Sequence, residues 1–188
     1  SALRQGKWED YTTMFIATMG VTIPSFVLAT ILIYLFGVVW KIFPVMSSKL
    51  TRPIEYVMPV VALSGYSLSF IARLVRSSML DVIQQDYIRT ARAKGLSELK
   101  VIYKHALKNA VIPAVTYLGP LTAGLLTGSF VIEKLFSIPG MGGYFVNSVS
   151  NRDYTMIMGS TIFYSVLLVI MNFIVDIVYV LVDPRIKL

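Results

Sequence analysis

The residues of this 188-residue sequence whose side chains could do chemistry do not form a catalytic set. The lone histidine, His105, is followed by Ala-Leu-Lys-Asn rather than by a second ligand, which excludes a zinc site of the H-E-x-x-H kind. The sequence has no G-x-x-x-x-G-K-[ST] loop for nucleotide phosphates, no G-x-S-x-G and no cysteine. We therefore expect no catalytic centre, cofactor or metal on this chain, and we interpret His105 as a packing or interfacial residue.

One carboxylate falls within an apolar stretch. Asp176 lies seven residues before Asp183, roughly 10 Å deeper along a helix, and Asn172 lies four residues earlier on the same face. One hypothesis is a proton or cation site, which is the default for a carboxylate inside a membrane. The alternative is a structural ion pair near the membrane boundary, with Arg73 or Arg76 as the nearest candidate partner. The shallow depth favours the ion pair.

The elements that position these residues are predicted to be membrane-spanning helices. The composition, 56% hydrophobic and 14% charged with a positive mean hydropathy, is typical of a polytopic membrane protein. We expect an all-α membrane bundle with four spans, a fold in which Pro24 kinks the first span and Pro59 and Gly65 interrupt the second. The predicted spans cover residues 14–36, 56–74, 110–132 and 154–182.

The distribution of charge predicts the orientation of these spans. Eight lysines and arginines lie between Arg73 and Lys108 against three acids, which places this loop on the cytoplasmic side by the positive-inside rule. Both ends of the chain are then cytoplasmic, and residues 41–55 and 133–153 lie outside. In the second outer segment, Pro139-Gly140 and Gly142-Gly143 are expected to form turns. Because topology explains the net charge of +7, no nucleic-acid partner is expected.

The basic loop, residues 77–109, is predicted to contain two amphipathic helices separated by Gly95. Apolar residues recur at helical spacing on both sides of that glycine. They are Met79, Leu80, Ile83, Tyr87, Ile88 and Ala91 before it, and Leu96, Leu99, Tyr103, Ala106 and Ala110 after it. From the residues alone, the loop either docks onto a partner protein or lies on anionic lipid headgroups with its lysines facing the membrane.

Within the predicted third span, Gly124 and Gly128 form a GxxxG pair, which permits close approach of two helix backbones. We expect these glycines to be helix-packing positions. Pro113 and Pro120 in the same region suggest a helix that bends.

The stretch DYIRTARAKGLSELKVIYKHALKNAVIP, residues 86–113, resembles the coupling loop of ABC importer permeases. The match is specific to the B-type permease subunit of oligopeptide and dipeptide importers, and it covers essentially all 188 residues. Flanking segments agree with it: IARLVRSSMLDVIQQDY before the loop, FSIPGMGGYFVNSVSNRDY after it, and the closing DPRIK. The resemblance implies a type I importer permease fold, of which this chain would be the C-terminal portion.

The resemblance also implies roles for individual residues. The family's loop glycine matches Gly95, and a short helix after it, here Leu96 to about Tyr103, would insert into a groove on the ATPase subunit. Leu96 and Leu99 would be apolar anchors, Ser97 the helix cap, and Glu98 and Lys100 a polar rim. The consensus Glu-Ala-Ala before the glycine corresponds to Arg89, Thr90 and Ala91, of which only the alanine at position 91 matches.

The partners implied are a second homologous permease subunit, two ATP-binding subunits that carry the ATP, an extracytoplasmic substrate-binding protein and membrane lipid. The expected function is transport of peptides through the bacterial cytoplasmic membrane, with no enzymatic activity on this chain. Alternatives are a permease for nickel or another small solute, an ion-coupled carrier or channel that depends on Asp176, and a membrane scaffold whose loop recruits a soluble partner.

Overall fold

The computed structural model describes residues 5–45 and 52–182, with side chains through residue 178, and every regular element in these ranges is helical. The α-helices are α1 (Trp8–Thr22), α2 (Ser25–Leu32), α3 (Val57–Ile83), α4 (Asp86–Ala93), α5 (Glu98–Lys100), α6 (Leu107–Ala110), α7 (Ile112–Leu126), α8 (Phe130–Leu135), α9 (Met141–Ser150) and α10 (Tyr154–Val182). A π-helical segment, Ile33–Val39, continues α2, a second one, Val101–Ala106, joins α5 to α6, and a 3-10 turn, Pro53–Tyr56, leads into α3.

The first predicted span is bent far more sharply than a proline kink. The directions of α1 and Ser25–Val39 differ by 102°. Ile23 is extended, with φ −80° and ψ 117°, and Pro24 occupies the N-cap position of α2. The residue before a proline disfavours helical angles, so one helix ends and another begins in a new direction. The expectation of one kinked helix over residues 14–36 is therefore wrong.

Helix α3 is longer and more regular than predicted. It runs unbroken for 27 residues, about 40 Å at 1.5 Å per residue. Pro59 lies in its first turn, where a backbone N–H has no partner within the helix, so it does not interrupt α3. Gly65 does not break it either, and the helix continues past Leu74 to Ile83.

The third predicted span is shorter than expected and the fourth is as expected. Helix α7 ends at Leu126 instead of Ile132, and it is bent by 44° from the helical segment Glu98–Ala110 before it. Helix α10 begins at Tyr154 and ends at Val182, which confirms the predicted bounds. The predicted closing segment Asp183-Pro184-Arg185 lies outside the described residues.

Two helices in the described ranges are long and apolar enough to cross a membrane, Pro53–Ile83 and Tyr154–Val178. Four spans result when each bent pair counts as one, namely α1 with Ser25–Val39 and Glu98–Ala110 with α7. The predicted all-α membrane bundle is confirmed, while the count of four depends on this treatment of the bent pairs.

Apolar side chains form two clusters at opposite ends of α3. Met79, near the end of α3, belongs to the first cluster, and Met58, at its beginning, belongs to the second. These residues are 21 positions apart, about 32 Å along the helix, which is comparable to the thickness of a bilayer core. The first cluster comprises Met79, Ile88, Ala91, Val101, Ala106 and Ala110, and the second comprises Ala29, Met58, Ala62, Ile132 and Phe136.

Candidate functional site

The end of α3, α4 and the helical segment Glu98–Ala110 form a compact unit, which we call the loop module (residues 77–110). Its centre is the first apolar cluster, in which Ile88 and Val101 are fully buried. Val82, Ile83, Leu96 and Ile102 pack around that cluster. The module therefore has its own core, which holds its outer residues in defined positions.

The apolar residues predicted for the second helix of the module are divided between its core and its surface. Val101, Ala106 and Ala110 are fully buried, whereas Leu99 is 70% and Tyr103 67% exposed. The helix begins at Glu98 and passes through the π-helical segment, where hydrogen bonds span five residues. Five-residue spacing brings Val101 and Ala106 to the same face, so a pattern based on 3.6 residues per turn left Val101 out of the apolar face.

Gly95 separates the two helices as predicted and has a φ of +73°, a conformation that strongly favours glycine. Ser97 occupies the N-cap position of α5, but its side chain forms no capping hydrogen bond, which corrects its predicted role. Leu96 is half-buried against the module's own cluster, so it is not a free apolar anchor. Leu99 is the one of the two predicted anchors that is exposed.

An ion pair across Gly95 links the two helices. Arg92 Nε and Nη2 donate to Glu98 Oε2 and Oε1 at 3.1 and 2.6 Å. The neighbouring carboxylate raises the pKa of Arg92 above its ordinary value. This bidentate pair bridges α4 and α5 on the surface, and Glu98 stays exposed, so its place in a polar rim with Lys100 stays a prediction. The six-residue spacing of the pair is not a helical spacing, so no periodic pattern would have indicated it.

The other predicted coupling residues surround this turn. Arg89 is exposed and lies 3.5 Å from Asp86, Thr90 Oγ1 donates to the Asp86 carbonyl at 3.0 Å, and Lys100 is exposed. Ala91 is buried in the first cluster. The structure thus brings the nine predicted residues into one module, with two of them, Ala91 and Leu96, packed inward.

A partly buried ion pair joins the start of α1 to α3 close to the loop module. Arg76 Nε and Nη2 donate to Asp10 Oδ1 and Oδ2 at 2.7 and 2.6 Å, and the Gly6 N–H donates to Oδ2 at 3.2 Å. Asp10 is 4% exposed. Sequence analysis missed this pair because 66 residues separate its members. The same helices cross closely at Gly20, where a β-carbon would collide with Ser69 Oγ and lie 2.9 Å from the Gly65 carbonyl.

Among the described residues, Asp176 has no ion-pair or hydrogen-bond partner. Arg76, one of its two expected partners, is paired with Asp10 instead. The expected pairing of Asp176 with Arg76 is therefore wrong, and Arg73 does not supply the pair either. Asp176 and Asn172 are half-buried on α10. Asn172 packs against α7 at Gly119, where a β-carbon would lie 2.8 Å from Asn172 Oδ1.

The predicted GxxxG pair does not form a helix contact within the described chain. A β-carbon at Gly124 would meet nothing within 4 Å. Gly128 lies beyond the end of α7 in a turn with φ +88°. The close approach of α7 to α10 instead occurs at Gly119.

Helices α8 and α9 with their connection form a second unit, the glycine-rich hairpin (residues 128–150), centred on Glu133. The Gly143 N–H donates to Glu133 Oε2 at 3.1 Å. A β-carbon at Gly128 or Gly140 would collide with the Glu133 carboxyl group. Pro139-Gly140 lies in the connection as predicted, but Gly143 lies within α9, so the predicted turn at Gly142-Gly143 is wrong.

The described residues contain no group of three or more histidine, aspartate or glutamate side chains that could hold a metal ion.

The two units lie at opposite ends of α3. The loop module presents an exposed apolar pair, and the glycine-rich hairpin contains a carboxylate surrounded by glycines.

Comparison with known proteins identifies relatives that are all named as permease proteins of peptide transport systems. The chain is 57% identical over all 188 residues to the dipeptide transport system permease protein DppB of Bacillus subtilis (strain 168), covering 60% of that protein. It is 43% identical to DppB of Lactococcus lactis subsp. cremoris and 42% identical to the oligopeptide transport system permease protein OppB of Escherichia coli (strain K12), covering 61% of each. The chain thus spans about three fifths of the length of these curated relatives.

The family model described as binding-protein-dependent transport system inner membrane component matches residues 1–188. Together with the apolar helices, this match makes the protein an integral membrane protein. The chain belongs to the family of binding-protein-dependent transport system inner membrane components.

Proposed function

We propose that this chain forms the pathway-lining and coupling part of a permease subunit in an ATP-driven peptide importer. The names of its relatives, dipeptide and oligopeptide permeases, support peptides as the substrate class. ATP-binding subunits would supply the energy, and the loop module would transmit their movement to the helix bundle. Residues 1–188 would belong to one transmembrane permease domain, with both chain ends on the cytoplasmic side.

The observation that carries this proposal is the exposed apolar pair Leu99 and Tyr103. The two side chains are four residues apart on one helix and are 70% and 67% exposed. Exposed apolar side chains on a basic polar loop are costly in water, and they are typical of anchors that a partner's groove covers. The buried cluster holds this helix in place, so little ordering entropy is lost on docking.

The test is co-purification of the full-length subunit with its ATP-binding subunits in detergent. Leu99→Asp should abolish or reduce co-purification at least tenfold, because it places a charge in a desolvated groove. Val149→Asp is the matched control, since Val149 is 50% exposed on the glycine-rich hairpin at the other end of α3. Equal retention of the ATP-binding subunits by both variants would exclude the loop module as the docking site.

The remaining partners follow from the same proposal. Residues 133–153 and the loop 41–55, of which residues 46–51 lie outside the described residues, would face the outside and an extracytoplasmic substrate-binding protein. A second permease subunit would complete the pathway. Trypsin added from one side of oriented vesicles tests the topology. Cleavage within residues 86–108, which contain six lysines and arginines, should occur only from the cytoplasmic side.

An ion-coupled carrier is the second candidate, because Asp176 is half-buried without a partner among the described residues. Uptake into vesicles separates the two functions. ATP-driven uptake that is insensitive to dissipation of the proton gradient and persists in Asp176→Asn supports the importer. Uptake that follows the titration of Asp176 and needs no ATP would establish the carrier.

A further inference from the structure

The glycine-rich hairpin borders two neighbouring cavities that share one side chain, Tyr144, which is 63% exposed. The first cavity, of about 520 Å³, lies between α8 and α9 and is lined by Glu133, Lys134 and Asn147 together with apolar residues. The second, of about 380 Å³, lies between α9 and α10. Both volumes fall within the roughly 300–1,000 Å³ typical of small-molecule sites.

The first cavity offers unpaired groups of opposite charge. Glu133 Oε2 accepts the Gly143 N–H, while Oε1 accepts no hydrogen bond within the described part of the chain. Lys134 Nζ lies 5.6 Å from the centre of the Phe130 ring and forms no ion pair with a described residue. A carboxylate and an ammonium group on one wall, with the Asn147 amide nearby, complement a ligand that carries both a free amine and acceptor carbonyls.

The glycines around Glu133 make room for its carboxyl group at the wall of the first cavity. A β-carbon at position 128 or 140 would overlap that carboxyl group. Because both positions are glycine, the carboxyl group remains part of the cavity wall.

The second cavity is almost entirely apolar. Met141, Met156 and Phe163 line it, and Tyr164 closes one side with its hydroxyl group donating to the Met141 carbonyl at 3.2 Å. Methionine side chains are flexible and polarisable, so they adapt to ligand side chains of different shape. The charged cavity matches a main-chain group that is the same in every ligand, and the adaptable apolar cavity next to it matches a side chain that varies from one ligand to another.

We propose that these two cavities bind a short peptide with a free amino terminus on the permease itself. The inference rests on the proposed function and deepens it, since it identifies where peptide contacts this subunit. The amino group pairs with Glu133, the peptide carbonyls face Asn147 and Lys134, and the first side chain enters the cavity lined by Met156 and Phe163. The permease thus contributes its own selection for a free amino terminus.

The experiment uses the complete transporter in nanodiscs, without substrate-binding protein or ATP, and measures equilibrium binding of radiolabelled Phe-Ala and N-acetyl-Phe-Ala. The unaltered transporter should bind Phe-Ala at least tenfold more tightly than the acetylated peptide. Glu133→Gln should remove most of this difference, because the amide retains an acceptor for the Gly143 N–H but loses the charge.

Asp153→Asn is the matched control for the loss of a carboxylate in the same region. Asp153 Oδ1 accepts the Met156 N–H at 3.0 Å at the start of α10, outside the cavities, so this variant should bind Phe-Ala normally. For the apolar cavity, Met156→Ser should weaken Phe-Ala binding more than Ala-Ala binding. Met158→Ser, at a 63% exposed position outside the cavity, should change neither.

Three results would overturn the proposal: no saturable binding of Phe-Ala, equal binding of free and acetylated peptide, or equal losses in Glu133→Gln and Asp153→Asn. If Glu133→Gln instead weakens only the binding of purified substrate-binding protein, the hairpin docks that protein and is not a peptide site. Failure of the proposed coupling function is seen separately, in co-purification of the ATP-binding subunits with Leu99→Asp.

Discussion

The loop module and the glycine-rich hairpin lie at opposite ends of α3 and keep their shapes by different means. The module is built around fully buried side chains, Ile88 and Val101 among them, and its ion pair is on the surface. The hairpin also buries large side chains, Ile132 and Phe136, but these pack against α2 and α3. Between its two helices, the buried residues of α9 are small, Gly142 and Ser148, and the carboxylate of Glu133 connects α8 to α9. The module's shape is therefore insensitive to surface charge, whereas a change of charge or a ligand at Glu133 acts directly on the hairpin.

The largest effect should come from the ion pair that joins α1 to α3 beside the module. Arg76→Met leaves Asp10, which is 4% exposed, without its partner. We expect the midpoint of thermal inactivation of the transporter to fall by about 10 °C. The double variant Asp10→Asn with Arg76→Met should regain most of that loss, because no unpaired charge remains. Equal losses in the single and double variants would contradict a role for the pairing.

Truncation within the module tests whether apolar burial holds it. Ile88→Ala should destabilise the module by about 3 kcal/mol, since it removes a fully buried side chain. Hydrogen exchange of the amides of residues 86–110 should accelerate, while that of residues 130–150 stays unchanged. Leu99→Ala is the control, and its 70% exposed position predicts a change below about 0.5 kcal/mol. Faster exchange in the hairpin as well would show that the two units are not independent.

Substitution of a glycine tests the hairpin in the same way. Gly128→Ala adds a β-carbon that collides with the Glu133 carboxyl group at a residue with φ +88°. We expect a cost of about 2 kcal/mol and faster exchange in residues 130–150 alone. Gly124→Ala provides the matched control, because a β-carbon there meets nothing within 4 Å and the residue is helical. A Gly124→Ala variant as unstable as Gly128→Ala would refute the carboxylate-centred description of the hairpin.

The smallest effect is expected for the surface ion pair of the module. Arg92→Gln should lower the midpoint of thermal inactivation by about 1–2 °C in low salt, and the difference should disappear in high salt. Both side chains of the pair are substantially exposed, at 40% and 57%. A large, salt-independent loss would mean that the module depends on charge as the hairpin does, and the contrast between the two units would not hold.

The sequence was sufficient to predict what depends on hydropathy and on single special residues. The bounds of α10 follow from an uninterrupted apolar run, and the turn at Gly95 follows from the one residue type that readily adopts its positive φ. The membrane bundle and the family resemblance were also predicted, and the comparisons confirm both.

Features that depend on local deviations or on distant pairs were not predictable from periodicity. The π-helical segment Val101–Ala106 brings Val101 into the buried face beside Ala106, and the 3.6-residue periodicity that listed Leu99, Tyr103, Ala106 and Ala110 did not include Val101. The 102° bend arises because the first helix ends completely before Pro24. A proline in a sequence predicts a kink, but it does not show whether the helix ends there. The Asp10–Arg76 pair and the glycines around Glu133 are brought together by tertiary contacts, and no spacing rule connects them.

The close crossing of α1 and α3 has a mechanical consequence. Contact at Gly20 near the middle of α3 and the ion pair at Arg76 hold the two helices at two separate points, so we expect any tilt of α3 to carry α1 with it as one lever. For a lever about 40 Å long, a tilt of about 5° at the module displaces the opposite end by about 3.5 Å. Such a displacement is more than twice the length of a carbon–carbon bond, so a tilt of this size would change the width of any passage beside α3.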